Sequence, residues 1–290
     1  MTSTKSAKRP ERRIAFQGVP GAYSHLACRH AYPKLEPLPC PSFEDAFDAV
    51  RTGKATLAMI PIENSVAGRV AEIHHLIPEA GLHIIAEHFE RVNHHLLAPP
   101  GATLETIKTV QSHVQALDQC RASCRALGLK RVVGADTAGS AAEIAKAGDV
   151  TRAAIASSLA GQIYGLKSLK KDLEDAEHNT TRFVVLSKKS EIADPKKGKC
   201  VTTFVFRVKN RAAALYKAMG GFATNGVNMT KLESYMLGGK FTATQFYADV
   251  DGHPDERALA HALEELEFFS DHVKILGVYP AHEYRLKGRH

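Results

Sequence analysis

The amino-acid sequence predicts an α/β protein in two parts: a two-lobed domain with a largely parallel sheet and, after a linker, a smaller ferredoxin-like βαββαβ module. Three observations carry this expectation. Up to about residue 187, short apolar runs alternate with stretches of helical periodicity. One run, residues 82–97, is too long for an ordinary strand and is polar at its centre (Glu87, His88, Glu90, Arg91), so it reads as a crossover between lobes, with a return near residue 180. Residues 188–199 (KKSEIADPKKGK) are polar, lack periodicity and hold Pro195 and Gly198, which reads as a linker.

In chain order, the remaining apolar β-type runs fall at 14–17, 57–62, 107–111, 131–135, 153–156 and 183–186, and amphipathic helical stretches at 43–51, 66–77, 115–127 and 138–147. Two lobes joined by two crossovers form a hinged cleft, a natural place for a small ligand. The expected boundaries are 12–187 for this domain, with the second lobe at about 95–178, then the linker at 188–199 and the module at 200–280. Within the module, strands are expected at 201–208, 227–236, 241–250 and 273–278, with helices at 211–223 and 255–267. Gly238-Gly239 is a hairpin signal between its middle strands.

Composition narrows the function classes. With 290 residues, 44% apolar and 24% charged, the chain is an ordinary globular sequence. Its net charge of +7 hints at nucleic acid, but the excess is local. Residues 1–13 carry a net +4, residues 281–290 a net +2 and the linker a net +3, which leaves −2 for the folded stretches. No contiguous basic stripe for nucleic acid results. No apolar run approaches the ~18 residues of a membrane span. The five cysteines form no CxxC pair, and with no secretory apolar segment they predict reduced, cytoplasmic thiols. Cys120 and Cys124 read as small buried side chains one helical turn apart. The 15 histidines offer no HExxH or Cys-His ligand set, so no metal is expected. A Ser-His-Asp hydrolase would need a GxSxG elbow, which is absent.

Chemistry is expected at the strand ends. Gly18-Val19-Pro20-Gly21 lies between a strand and a helix; its backbone N–H groups suit an anion, or it is a plain tight turn, and its spacing is not the dinucleotide GxGxxG. PIENSVAG (61–68) places Glu63, Asn64 and Ser65 where a strand enters an expected helix, with capping as the alternative role. SHVQALDQC (112–120) presents Ser112, then Gln115 and Gln119 on one helix face, again with capping as the alternative for Ser112. Asp136-Thr137 opens a further helix and reads mainly as a cap. HNTTRFVVL (178–186) sets two hydroxyls and Arg182 just before a strand, where an Arg would bind a carboxylate in bidentate fashion.

Together these motifs, with GVPGAYSHLA (18–27), DTAGSAA (136–142), AAIASSLAGQIYGL (153–166) and NTTRF (179–183), resemble prephenate dehydratase carrying a C-terminal ACT domain, over roughly residues 13–280. The resemblance implies a catalytic domain similar to type II periplasmic binding proteins, with the active site in the cleft. It implies conversion of prephenate to phenylpyruvate, water and carbon dioxide, without metal or organic cofactor. Thr181 is then the principal catalytic residue, with Asn64, Ser112 and Gln119 in the catalytic set. Arg182, Ser65, Gln115, Thr180 and Phe183 bind substrate, and Glu63 is the runner-up proton donor. In the module the resemblance implies phenylalanine sensing by Ala213, Leu215, Asn228, Glu233 and Ser234, feedback control, and a homodimer or homotetramer. Two departures stand out there: Ala213 occupies the family's usual Gly position, and Tyr235-Met236 replace Arg-Pro after Glu233-Ser234. Arogenate dehydratase, or a non-catalytic two-lobe sensor, are the alternative readings.

Overall fold

A computed structural model of the chain describes residues 12–209, 211–237 and 243–287. The basic residues before Arg12, the Gly238-Gly239 hairpin signal and Arg289 lie outside the described residues.

Strand β1 (Arg13–Gln17) opens the fold because Ile14, Ala15 and Phe16 form a continuous apolar run that is fully buried, as in a strand covered on both faces. It leads through Gly18-Val19-Pro20-Gly21 to α1 (Tyr23–Ala31), then β2 (Glu36–Cys40). Helix α2 (Phe43–Arg51) starts where Ser42 Oγ accepts from Asp45 N at 3.1 Å. Strand β3 (Leu57–Asn64) follows, and β1 pairs in parallel with both β2 and β3.

Here the expectation of a helix over 66–77 fails at its N-terminal half. Asn64 Oδ1 accepts from Val66 N (2.9 Å) and Ala67 N (2.8 Å), closing a turn that sends the chain back as β4 (Gly68–Arg69), antiparallel to β3. Helix α3 is confined to Ile73–Glu79. The long run 82–97 is likewise two strands, β5 (His83–Arg91) and β6 (His95–Ala98), with Val92, Asn93 and His94 as the connection.

The second sheet is built from β6, β7 (Thr109–Ser112), β8 (Lys130–Val133), β9 (Arg152–Ala156) and β10 (Lys167–Lys170), in the order β10-β6-β9-β7-β8. It is mixed: β7 runs parallel to β8 and β9, whereas β6 is antiparallel to both β9 and β10. One face holds Leu96, Val110 and Ile155 against α4 (Val114–Gln119) and α5 (Arg121–Ala126), through Leu117 and Cys124. The other holds Leu97, Ala154 and Ala156 against α6 (Thr137–Ala147) and α7 (Ser158–Tyr164). Helix α6 is capped by Asp136, whose Oδ1 accepts from Gly139 N, and ends on the left-handed Gly148. The chain returns along β11 (Thr180–Ser187), so that the first sheet has the order β2-β1-β3-β11-β5, with β4 beside β3.

Beyond residue 187, a short 3₁₀ turn at Pro195–Lys197 precedes β12 (Cys200–Val208), α8 (Ala214–Thr224), β13 (Met229–Met236), β14 (Ala243–Asp251), α9 (Arg257–Phe269), β15 (Ser270–Pro280) and α10 (Glu283–Lys287). The four strands form an antiparallel sheet ordered β13-β14-β12-β15, the ferredoxin-like arrangement. Phe204, Phe206, Phe222, Phe246 and Leu266 lie in its core beneath α8 and α9.

The chain forms two compact units, residues 1–70 with 88–183, and 71–87 with 184–290. In the second unit, β15 approaches β5 so closely that a Cβ on Gly277 would stand 2.1 Å from Ile84 O. Lys274 Nζ donates to Pro78 O at 2.6 Å, and Arg285 Nε donates to the buried Glu87 carboxylate at 2.6 Å.

Candidate active site

Within the first unit, a cavity of about 220 Å³ opens where the ends of β3 and β11, the start of α1, the β5–β6 connection, α4 and the start of α6 converge. Asn64, Gln115, Gln119, Thr181 and Phe183 line it, as do Tyr23, Ser24, His94, His113 and Thr137. Pro61, Ala67, Val70 and Val92 supply apolar wall. The lining holds no Lys, Arg, Asp or Glu.

Asn64 organises one side. Its Nδ2 donates to Thr181 Oγ1 at 3.0 Å and to Asn179 Oδ1 at 2.8 Å, while its Oδ1 closes the Ser65–Ala67 turn. The Thr181 oxygen is thus held as an acceptor, which leaves its own proton to be donated toward the cavity. Ser65 and Thr180 work beside the cavity rather than in it. Ser65 N donates to Thr180 O (2.9 Å), and Ser65 Oγ accepts from Thr180 N (2.9 Å) and donates to His178 O (2.7 Å), lashing the turn to β11.

Three sequence expectations need correction. Arg182 does not face the cavity: strand residues alternate in direction, so with Thr181 and Phe183 on the cavity side, Arg182 turns to the other face. It is 3% exposed and its Nη1 donates to Glu63 Oε1 at 3.0 Å. Glu63, neighbour to Asn64 on β3, is likewise absent from the cavity lining, its carboxylate being engaged by Arg182. Ser112 is fully buried and donates to Ile155 O at 2.6 Å, tying β7 to β9; the residue that caps α4 is His113, whose Nδ1 accepts from Gln115 N.

Sequence reasoning missed the other wall. Tyr23 Oη lies 2.7 Å from Asn93 O and 2.9 Å from His94 Nδ1, and His94 Nε2 lies 2.9 Å from Gln119 Oε1. Burial pushes the His94 pKa down and the Tyr23 pKa well up, so both groups are uncharged near neutral pH. The available signal was the position of His94 in the expected crossover, where a cleft residue belongs. Glu174 steadies that connection by accepting from His94 N at 2.8 Å and Asn93 Nδ2 at 3.2 Å.

The Gly18–Gly21 turn is fixed by α7 of the second lobe. Ser157 Oγ donates to Gly21 O (2.6 Å), and Tyr164 Oη donates to Pro20 O (2.8 Å). Gly21 has φ +90°, and a Cβ there would lie 2.8 Å from Ala160 Cα. Helix α1 has no side-chain cap, and its first residues, Tyr23 and Ser24, line the cavity. Among the described residues, no three His, Cys, Asp or Glu side chains are arranged to hold a metal ion. All five cysteines are buried, and no described helix is long and apolar enough to cross a membrane.

The sequence pattern of the family described as prephenate dehydratase matches residues 14–191. The chain belongs to the prephenate dehydratase family. It is 53% identical to a Komagataeibacter europaeus protein, "Bifunctional N-acyl-homoserine lactone acylase/prephenate dehydratase", over 96% of this chain and 99% of that one. It is 38% identical to "Arogenate dehydratase/prephenate dehydratase 1, chloroplastic" of Arabidopsis thaliana, over 92% of this chain and 72% of that one. The crystal structure of prephenate dehydratase from Arthrobacter aurescens in complex with L-Phe superimposes with a TM-score of 0.85 at 30% identity, covering 93% of this chain and 90% of that one. The mixed α/β fold is accordingly the two-lobed, type II periplasmic-binding-protein-like one.

In this chain the effector-site candidates of the C-terminal module are dispersed. Asn228, whose Nδ2 donates to Asp251 Oδ2 at 2.8 Å, lines a cavity of about 300 Å³ with Asp251, Gly252 and Glu256. Ala213 and Leu215 stand at the start of α8, outside that lining. Glu233 and Ser234 are successive residues of β13 and so point to opposite faces, Glu233 pairing with Lys231 at 3.2 Å. Ala213 itself has φ +61°, a left-handed conformation that explains why Gly suits this position.

Proposed function

We propose that the chain catalyses the decarboxylating dehydration of prephenate to phenylpyruvate. The observation that carries this is the Thr181 hydroxyl, held by Asn64 at 3.0 Å at the edge of a small, uncharged cavity. In the reaction the bond from the ring to its carboxylate breaks, its electron pair moves through the ring, and the opposite ring C–O bond breaks. One proton joins the departing oxygen to make water, and carbon dioxide leaves from the other end. Aromatisation drives the step, so the protein has to orient the two breaking bonds and supply one hydrogen bond or proton to the leaving group. In this reading Thr181 does the latter. A cavity without lining cations also favours loss of a carboxylate as neutral carbon dioxide, since no bound Lys or Arg stabilises the ground-state anion there. The remaining carboxylate is received by neutral donors, Ser24 and Thr137 among them, and by the uncapped start of α1.

Residues 12–187 form the catalytic region in this reading, and residues 200–280 an ACT domain that binds phenylalanine and exerts feedback control. The L-Phe complex of the Arthrobacter aurescens relative supports that assignment. The enzyme works in the cytoplasm as a homodimer or homotetramer, without cofactor. Two further activities are favoured by relatives: dehydration of arogenate, and hydrolysis of an N-acyl-homoserine lactone amide.

Purified protein offered prephenate, arogenate and an N-acyl-homoserine lactone in parallel separates these activities. Thr181→Ala lowers kcat on prephenate by about 100-fold or more, and Thr181→Ser retains part of it. Wild-type turnover by a folded Thr181→Ala protein would sink the assignment. Equilibrium dialysis with phenylalanine and sedimentation velocity test the regulatory and oligomeric parts.

A further inference from the structure

The polarity of the contacts around Thr181 is fixed by two main-chain donors. Val66 N and Ala67 N can only donate, so the Asn64 atom that meets them at 2.9 and 2.8 Å is its carbonyl oxygen. The Asn64 NH₂ group is thereby turned toward the start of β11, with two hydrogens to place. One goes to Thr181 Oγ1 at 3.0 Å and the other to Asn179 Oδ1 at 2.8 Å. Asn179 stands just before β11 and two residues before Thr181, the spacing that puts two side chains on one side of a strand, and both reach the same amide. Asn179 is 1% exposed and does not line the cavity. Its main-chain oxygen accepts from Val92 N at 2.9 Å, which holds its backbone independently of the side chain. Its Nδ2 is buried and has no hydrogen-bond partner among the described residues. The carbonyl oxygen is therefore the polar atom of this side chain that is used, and the orphaned NH₂ group costs stability. A carboxylate would supply the same acceptor without an orphan, but it would set a negative charge near a cavity that receives an anion. The amide supplies the acceptor without charge.

We propose that Asn179 is a positioning residue for Thr181: by accepting one hydrogen of the Asn64 amide it aims the other at Thr181 Oγ1, which keeps the Thr181 proton for the departing oxygen of the substrate. Two anchor points fix the plane of a flat amide, here the turn at its oxygen and Asn179 at its nitrogen. With the second anchor gone, the plane pivots about the oxygen, because the last side-chain torsion of Asn is broad. Its hold on Thr181 then loosens. The inference rests on the dehydratase reading for the step that Thr181 serves, but not for the link among the three side chains.

Prephenate turnover by the full chain tests the role. Asn179→Leu removes the acceptor at similar volume and is expected to lower kcat about tenfold, the worth of one hydrogen bond. KM should stay within about twofold, because a bond to the departing oxygen strengthens only as charge develops there. Asn179→Asp keeps the acceptor and is expected to hold kcat within about threefold of wild type while raising KM through its added charge. Equal losses of kcat in the two variants, or no loss in Asn179→Leu, would overturn the proposal. Where circular dichroism shows Asn179→Leu unfolded, Asn179→Ala takes its place with the same expectations. In a Thr181→Ala background, Asn179→Leu is expected to cost no more than about twofold further, since it acts through that hydroxyl. A full tenfold loss there would show a general structural role and overturn the proposal. The link itself is read without turnover. In ¹⁵N-asparagine-labelled protein, with the Asn64 amide signals identified by their loss in Asn64→Asp, exchange with solvent is expected to be about tenfold faster in Asn179→Leu than in wild type, and unchanged in Asn179→Asp. Unchanged exchange in Asn179→Leu overturns the proposal. An inactive wild type would refute the dehydratase reading instead, while the amide signals still decide the link on its own terms.

Discussion

The close approach of Gly21 to Ala160 gives a prediction whose size follows from the geometry. Substituting Ala at Gly21 incurs two costs. The left-handed backbone, φ +90°, penalises any residue with a Cβ by about 1–2 kcal/mol. The added carbon would lie 2.8 Å from Ala160 Cα and 2.9 Å from Ala160 Cβ, so α7 must shift. Overpacking of that kind costs about 1–3 kcal/mol. Together they amount to about 3 kcal/mol, a fall in Tm of about 6–12 °C for a domain of this size. Gly128→Ala is the matched control: φ is +65° but nothing lies within 4 Å of the added Cβ. It should lose only the backbone share, about 3–5 °C. The chain has no Trp, so unfolding is best followed by far-UV circular dichroism. If the two variants melt within about 2 °C of each other, the contact with Ala160 is not what makes glycine necessary. Because Tyr23 and Ser24 follow directly, Gly21→Ala should also lose turnover at temperatures where it is folded, whereas Gly128→Ala should not.

Ser112→Ala should lower stability by about 1–3 kcal/mol through the orphaned Ile155 carbonyl, with kcat within about twofold of wild type; a tenfold kcat loss would return Ser112 to the cavity. Arg182→Met breaks a buried pair and should cost about 3 kcal/mol, at the low end because Glu63 is a third exposed; urea unfolding measures this, and a change in KM alone would contradict it. Ala213→Gly relieves the left-handed alanine and should raise stability by up to about 1 kcal/mol, the gain being trimmed by the freer unfolded chain. Burial holds the folded His94 pKa below its ordinary 6.5. Between the two values the unfolded chain binds the extra proton, so this contribution to stability is full above about pH 6.5 and is lost as pH falls through the folded value. Stability measured from pH 7.5 down to pH 5 should therefore fall less steeply in His94→Gln than in wild type.

Much of the architecture could be read from the sequence because burial and periodicity coincide in it. The fully apolar run of β1, the Ser42 and Asp136 caps, and the alternation of strand and helix across the second lobe are all local signals. The turn after Asn64 was not legible, because one side chain serves equally as a helix cap or as the acceptor of a turn, and its neighbours decide. At the site, residue types were easier to find than directions. Asn64, Gln115, Gln119, Thr181 and Phe183 converge on the cavity. Arg182 was misplaced by attention to its charge, although strand parity with Thr181 already set it on the opposite face. Tyr23 and His94 were missed because they lie far apart in sequence and meet only across the connection between lobes.

The contact of Gly277 with Ile84 bears on how this chain could be taken apart. Residues 71–87 are written far upstream of the 188–199 stretch, yet they belong to the same compact unit as everything from residue 184 onward. A cut at the polar stretch would remove from that unit the carbonyl that Lys274 grips, the carboxylate that holds Arg285, and the backbone against which Gly277 is fitted. Shuffling the C-terminal module onto another enzyme, or supplying it separately, would therefore require the upstream segment to travel with it or to be rebuilt. What can be exchanged as one piece is set by these contacts and is discontinuous in the gene.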